Sequence, residues 1–486
     1  MSVEELVQRG ECLHQELGRE SYLTGAGLKD TPEFQRIFDQ FADLCSDDAL
    51  AMVREMGPLE LLEWIVDLRT GRRTAGLEEQ QILWEQGATV QAGGRDVSYL
   101  RAPIEMANSP DRAFRLELDA ARVAAGGAAL TGIRRDRFAQ EREEILALEM
   151  GDYVATRATF SGIDLDALGV AVDGFLADTD DMYREVLERV VRRRIGVPLG
   201  DLVRADSSWA FRADGFDGAF REDQLIRTAV AQAKEMGIDP LQHGRIRLDT
   251  EERPAKQPRA FCAPVRVPDE VYLVLRPRGG HADYQTFWHE HGHALHFASV
   301  DPGQSFAARW LGDNSVTEGF AMLFDHMTMS PAWLRRYVDL AQREVRELVF
   351  ELGVNELFMI RRYAAKLGYE LRLHRGDLDR MAPEYVERLT RATLFRYSEG
   401  DYLLDVDPGF YSARYLRAWQ LQALLGETLK ERFDDDWFRN PRAGGFIQNL
   451  MSTGQADSAD RLASRVSGRG LSFDALRQQL ERALDA

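Results

Sequence analysis

The spacing of apolar residues favours helices over most of the chain. Thr31-Pro32-Glu33 is a typical helix start, with a capping residue followed by proline in the first turn. Apolar residues then recur at helical spacing and form one face, namely Phe34, Ile37, Phe38, Phe41 and Leu44. Further helices are predicted over residues 59–68, 179–195 and 222–236, and helices fill the chain after about residue 315. We therefore predict a mainly α-helical fold.

The pattern changes between Arg245 and Arg276, where short apolar or alternating runs are bounded by prolines. Strands of a small sheet are predicted over residues 245–249, 261–263 and 271–275. Pro264 cannot donate a hydrogen bond to a neighbouring strand, so the second of these strands is expected at an edge of the sheet. An extended peptide can pair with such an edge, although a capped edge without a partner explains the pattern equally well.

A loop rich in glycine and aspartate, Arg212–Gly218, separates the two parts of this pattern. It predicts an N-terminal helical half over residues 1–212. Residues 213–486 form a catalytic half that contains the sheet and the C-terminal helices. We interpret the two halves as lobes of one interlocked domain.

The amino-acid composition and the net charge argue against two classes of function. The 486 residues are 44% hydrophobic, with a net charge of −19. This balance argues against a nucleic-acid binder, which needs a basic face, and against binding to anionic membranes. The start, Met1–Glu5, has no basic or apolar run typical of a secretory signal. The three cysteines have no paired spacing and are interpreted as reduced thiols of a cytoplasmic protein.

The segment His289-Glu290-His291-Gly292-His293 carries the clearest chemical signal. On a helix, His289 and His293 lie one turn apart on the same face, where both can bind a single zinc ion. Glu290 is then placed to take a proton from a zinc-bound water. His291 points away from this face and is predicted to be packed in the interior.

Spacing identifies a third metal ligand. One subclass of zinc peptidases uses a glycine and a histidine after the motif, but His296 and Ser299 occupy those positions here. The other subclass uses a glutamate from a second helix, and Glu318 fits, with Ser315 as the predicted cap of that helix. We therefore predict one zinc ion held by His289, His293 and Glu318.

Two further residues of these helices are candidates for supporting roles. Asp325 follows Glu318 by seven residues, so both share a helix face. Asp325 can hold a ligand histidine through its other ring nitrogen, although a solvated aspartate is the alternative. His296 lies on a face similar to that of His293 and is a candidate for contact with the substrate.

The segment His289–His296, with Glu318 and an acidic residue at 325, resembles the thimet-oligopeptidase and oligoendopeptidase family and, more distantly, the angiotensin-converting-enzyme family. The strands around residues 260–263 and 271–275 are similar to the strand pair beside the site in that family. The resemblance implies a mostly helical ellipsoid with a deep central channel and zinc at its floor. It also implies a peptide bound at the strand that carries Ala263.

The resemblance also implies a catalytic tyrosine in the stretch 409–419. Aligned with the oligopeptidases, the functional tyrosines of the family fall on Phe410, Arg414 and Arg417. Aligned with the converting-enzyme pattern, Tyr415 takes the catalytic position, and Tyr411 is the second candidate. Arg414 and Arg417 can instead bind a carboxylate, such as a peptide C-terminus.

These observations predict a cytoplasmic zinc-dependent oligopeptidase that hydrolyses short unfolded peptides. One alternative is a metal hydrolase of the same fold that acts on a specialised amide, which the altered tyrosine stretch favours. Another is a helical peptide-binding protein without turnover, against which the intact Glu290 argues. Cobalt or manganese can replace zinc with such ligands. Cleavage specificity and oligomeric state stay open.

Overall fold

Helices form most of the protein, as the apolar spacing predicts. The computed structural model describes residues 2–485. The helices are α1 (Val3–Gly25), α2 (Phe34–Gln40), α3 (Asp47–Met56), α4 (Leu59–Gly87), α5 (Ala102–Asn108), α6 (Arg112–Leu146), α7 (Tyr153–Ser161), α8 (Leu165–Asp178), α9 (Asp180–Arg194), α10 (Arg204–Ala210), α11 (Leu225–Glu235), α12 (His281–Ser299), α13 (Phe306–Trp310), α14 (Asn314–Met327), α15 (Pro331–Tyr337), α16 (Gln342–Arg375), α17 (Ala382–Thr393), α18 (Tyr411–Phe433), α19 (Pro441–Met451), α20 (Ala459–Ser467) and α21 (Asp474–Leu484). Within residues 2–485 no helix is long and apolar enough to cross a membrane.

Two small sheets accompany the helices. The first is an antiparallel hairpin that the sequence analysis did not predict, made of β1 (Thr89–Ala92) and β2 (Arg95–Ser98). Its Gly93-Gly94 turn between two short alternating runs is the signal that could have revealed it. The second sheet contains β3 (Ile246–Asp249), β4 (Phe261–Arg266) and β5 (Glu270–Val274) in the order β3-β5-β4. The predicted edge position of the strand with Pro264 is therefore confirmed.

The sequence predicts Asp283 and Ser315 as the caps of the two helices that bear the metal-site motif, and the observed helix starts differ in detail. α12 begins at His281, so Asp283 lies in its first turn, where its carboxylate accepts a hydrogen bond from the N–H of Gly279 at 2.9 Å. α14 is capped by Asp313, which accepts from the N–H of Ser315 at 2.9 Å, and not by Ser315 itself.

The chain forms two compact units. Unit 1 contains residues up to Arg72, Ala213–Phe350 and residues from Arg417 onward, and unit 2 contains Arg73–Arg212 and Glu351–Leu416. The chain leaves unit 2 and enters unit 1 between Arg212 and Ala213, where the sequence predicts a boundary. The division into two halves along the chain stays a prediction. The three-stranded sheet, α12 and α14 all belong to unit 1.

Two glycines allow close packing inside unit 1. A Cβ on Gly292 of α12 would lie 2.7 Å from the Cα of Ala321 in α14, so only glycine permits this approach of the two helices. A Cβ on Gly319 would lie 2.7 Å from a methyl carbon of Leu421, so this second glycine admits α18. The side chain of Trp288 on α12 is fully buried, and burial of such large apolar surfaces stabilises the arrangement. The close contact of α12 with α14 is what brings their polar side chains together.

Candidate metal centre

The structure brings together the three predicted metal ligands. The rings of His289 and His293 lie one turn apart on α12, with centroids separated by 4.9 Å. The Nε2 atoms of His289 and His293 are each 3.4 Å from Oε2 of Glu318 on α14. One potential ligand atom from each residue lies within 4.8 Å of the other two. A single ion can therefore reach all three.

The other ring nitrogens of the two histidines have partners of their own. Nδ1 of His289 is 2.8 Å from Oδ2 of Asp325, as predicted for this aspartate. Nδ1 of His293 is 2.9 Å from Oγ1 of Thr317, a contact that the sequence analysis missed. Hydrogen bonds at Nδ1 fix the ring orientation and leave Nε2 directed at Glu318. Two imidazole nitrogens and one carboxylate oxygen suit a catalytic zinc ion, which keeps its fourth position for water or substrate.

The electrostatics of these residues favour a positive charge at the centre. Burial alone would lower the pKa of His289, but the carboxylates of Asp325 and Glu318 outweigh it and raise this pKa well above its usual value. Burial alone would raise the pKa of Glu318, but His293 and His289 hold it well below its usual range. The carboxylates thus attract either protons or a metal cation to the same place.

Glu290 lies between α12 and the edge of the sheet. Its Oε2 accepts a hydrogen bond from the main-chain N–H of Cys262 at 2.8 Å. Burial raises the pKa of Glu290, although His293 and His289 oppose this shift. A fixed carboxylate with a raised pKa is well suited to take up a proton near neutral pH.

The main-chain group that faces this site belongs to Cys262 and not to Ala263. Residues of an antiparallel strand alternately direct their N–H and C=O groups toward and away from the neighbouring strand. Cys262 points away from β5 and toward Glu290, so Ala263 points into the ladder, where it is paired with Tyr272. The substrate contact predicted for Ala263 stays a prediction.

The remaining histidines of α12 are turned into the interior. His291 is buried and its Nε2 lies 2.7 Å from the carbonyl oxygen of Pro240. His296 is fully buried, with Nε2 3.2 Å from the carbonyl oxygen of Gly454. Burial lowers the pKa of each imidazole to about 4. Contact between the substrate and the His296 imidazole would therefore require a rearrangement.

The predicted tyrosines lie at the start of α18, in the part of this helix that belongs to unit 2. Tyr411, Arg414 and Tyr415 are all partly exposed, and the rings of Tyr411 and Tyr415 are 5.1 Å apart. Their roles stay predictions. Arg417, further along in unit 1, pairs with Asp460 and is therefore not a free partner for a substrate carboxylate.

Comparison with known proteins supports the fold. No protein-family model and no curated protein sequence matches the chain. A Bacillus anthracis structure provisionally described as oligoendopeptidase F superimposes with a TM-score of 0.63 at 13% identity, over 92% of this chain and 82% of that one. A second structure provisionally described as oligoendopeptidase F gives 0.66 at 14% identity, over 93% and 84%. A provisionally described peptidase of Chlamydophila abortus gives 0.59 at 12% identity, over 91% and 80%.

These likenesses establish a shared fold. The chain has the mainly helical, zincin-type fold of oligoendopeptidase structures, with a small sheet beside the metal-site helix, as predicted. The predicted similarity to the oligoendopeptidases is thus confirmed at the level of the fold. The more distant similarity to converting enzymes stays a prediction.

Proposed function

We propose that the protein is a zinc-dependent peptidase that hydrolyses peptide bonds of short unfolded peptides. The observation that carries the proposal is the convergence of His289, His293 and Glu318, with Glu290 held one residue from the first ligand. This constellation lies in a fold shared with proteins described as oligoendopeptidases.

His289, His293 and Glu318 would hold the ion, and Asp325 and Thr317 would orient the two imidazoles. A bound zinc ion would supply Lewis acidity, which polarises the scissile carbonyl and lowers the pKa of a water molecule. All three ligands are needed, because a catalytic zinc site of this kind keeps its fourth position for water or substrate.

Glu290 would move the proton in this reaction. Its carboxylate is held by the N–H of Cys262, takes a proton from the attacking water and delivers it to the leaving amine. The carbonyl of Cys262 lies on the same open side of β4 as this N–H and can accept a hydrogen bond from the leaving amine. Edge strand and general base would therefore act on the same end of the scissile bond.

Other assignments belong to the proposal on the strength of the family resemblance. Tyr415, or Tyr411 in its place, would donate a hydrogen bond to the oxyanion. Arg414 would bind a substrate carboxylate. The three cysteines form no disulfide among residues 2–485, which fits the proposed cytoplasmic location.

Metal analysis combined with digestion of a mixed peptide library tests the proposal, with Glu290→Gln as the matched variant. We expect one zinc ion per chain in both proteins and peptide cleavage by the wild type only. Stoichiometric zinc without cleavage of any peptide would favour the specialised-amide hydrolase. Tight peptide binding without turnover would favour a binding protein, and absence of metal binding would overturn the site.

A further inference from the structure

β4 has an outer edge that does not pair with β5. On the C-terminal side of Cys262 this outer edge is closed by α1. Cys262 directs its N–H to Glu290, on the side away from β5. Because main-chain directions alternate along a strand, the carbonyl of Pro264 points to the same open side. Pro264 has no N–H, so this carbonyl is the only main-chain group through which a peptide could pair there.

α1 lies against that carbonyl. A Cβ on Gly18 would be 2.4 Å from the carbonyl oxygen of Pro264 and 3.2 Å from the Cα of Val265. Only glycine tolerates such proximity, so the backbone of α1 is in direct contact with the strand at this point. A peptide strand cannot occupy the same space, and the edge is closed at Pro264.

Further along, α1 packs on the face of the sheet. A Cβ on Gly25 would contact the ring of Phe261 at 2.6 Å, and this ring projects from the face of the sheet. The helix therefore lies over the face at Phe261, while the edge at Cys262 stays beside Glu290. The carbonyl of Gly25 accepts from the N–H of Gln257 at 2.8 Å, and Tyr22 stacks on Tyr272 at 3.7 Å. These contacts make α1 a fixed wall.

We propose that this wall limits the N-terminal part of the substrate, so that the enzyme removes short segments from peptide N-termini. This inference rests on the proposed peptidase function. Antiparallel pairing is the more stable arrangement, and in it the N-terminal side of the peptide runs toward Pro264. Pro264 is two residues, or roughly 7 Å, from Cys262, so with the leaving amine opposite Cys262 about one substrate residue fits between the scissile bond and α1.

The opposite direction carries suitable charge. In the antiparallel arrangement the C-terminal side of the peptide runs from Cys262 toward residues 259 and 260. Arg259 is exposed there and can attract the carboxylate at the end of a short peptide. Charge and steric closure thus favour the same orientation of the substrate.

Two matched series of peptides test the inference. Both keep one cleavable core, and one series is lengthened stepwise at the N-terminus and the other at the C-terminus. Initial rates and product masses are measured with zinc-loaded wild type, and Glu290→Gln controls for contaminating peptidases. We expect kcat/KM to fall roughly tenfold or more once a second residue precedes the scissile bond, because its peptide groups lose their pairing. C-terminal extension should leave kcat/KM within a factor of about two, because the closure by α1 at Pro264 lies on the other side of Cys262.

Three results would overturn the inference. Equal rates along the N-terminal series would show that α1 is no barrier. Cleavage at a fixed distance from the C-terminus would show the opposite substrate orientation. Absence of cleavage of every peptide by the zinc-loaded protein would overturn the peptidase proposal itself, and this inference with it. The first of these results, equal rates along the N-terminal series, would leave the peptidase proposal standing.

Discussion

A cluster of buried charge in unit 1 and another in unit 2 differ in the kind of partner that their carboxylates have. The metal cluster of unit 1 consists of His289, His293 and Glu318. The ion-pair cluster of unit 2 consists of Arg362, Lys366, Glu370, Asp405 and Asp407. Both are largely withdrawn from water, so the contrast between them is chemical.

In the ion-pair cluster the cations are permanent. Lys366 lies 2.8 Å from Oδ2 of Asp407, and Arg362 pairs with Asp405. Burial alone would raise the pKa of Asp405, but Arg362 and Lys366 hold it below its usual value. Nothing remains for an external ion to neutralise in these pairs.

In the metal cluster the partners of the carboxylate are imidazoles, whose ring nitrogens can serve as neutral metal ligands. Each Nε2 can give up a proton and offer its lone pair to a metal ion instead. Buried acids therefore indicate a binding site when titratable nitrogens surround them, and a structural role when guanidinium or ammonium groups do.

Loss of a ligand should have the largest effect. Glu318→Gln removes the only carboxylate ligand, so zinc affinity should fall by more than about 100-fold, since losing a supporting partner alone costs 10–100-fold. Glu370→Gln is the matched control in the other cluster. Burial raises the pKa of Glu370 to about 8, so the neutral amide resembles its prevailing form. Competition titration with a chromophoric chelator measures both variants, and equal affinity of Glu318→Gln and wild type would contradict the assignment.

Removal of a permanent cation should affect stability instead. Lys366→Met leaves the carboxylate of Asp407 buried without its ammonium partner. Breaking such a buried pair costs about 3–5 kcal/mol of unfolding free energy. Urea unfolding followed by circular dichroism measures the loss, and zinc content of the folded fraction should match wild type. A stable variant without zinc would reverse the comparison.

The loss of zinc affinity on weakening a supporting hydrogen bond should be larger when the partner of the histidine is charged than when it is neutral. Asp325→Asn weakens the partner of His289 and should lower zinc affinity about 10–100-fold. Thr317→Val removes a neutral partner of His293 and should cost less, because hydrogen bonds to ionised groups are about twice as strong. Thr317→Ser keeps the hydroxyl and should retain wild-type affinity. A larger loss for Thr317→Val than for Asp325→Asn would contradict the ranking.

The difference between the clusters also explains what could be predicted from the sequence. His289, His293 and Glu318 lie on two helices close together in the chain, and helical periodicity alone places them on facing surfaces. The ion-pair cluster joins residues 362–370 to residues 405–407, and only tertiary packing brings those segments together. No local pattern marks its members as partners.

The same reasoning applies to details of the site. Asp325 was predictable because it repeats the helical face of Glu318. Thr317 was missed, because its contact depends on how closely α14 approaches α12 at Gly292. The hydrogen bond from Cys262 to Glu290 was missed, because strand register, which decides the outward side, cannot be obtained from an edge-strand pattern. Helix starts at His281 and Asn314 were displaced by a few residues, since several polar residues there can cap.

The effect that is smallest near neutral pH concerns imidazoles without a carboxylate partner. His296 is fully buried, and burial lowers its pKa to about 4. In the unfolded chain a histidine takes up a proton near pH 6.5. Between these values the unfolded state binds more protons, so this histidine lowers stability as the pH falls, by up to about 1.4 kcal/mol per pH unit.

His296→Gln keeps an N–H donor and cannot titrate. Its unfolding free energy, measured with urea in the presence of a chelator, should depend less steeply on pH between about 6.5 and 4 than that of wild type. Above pH 8 the two dependences should be parallel, because neither state of the wild type then protonates His296. Parallel dependences at acid pH would show that His296 is charged in the folded protein, and the contrast between neutral buried imidazoles and those of the metal cluster would fail.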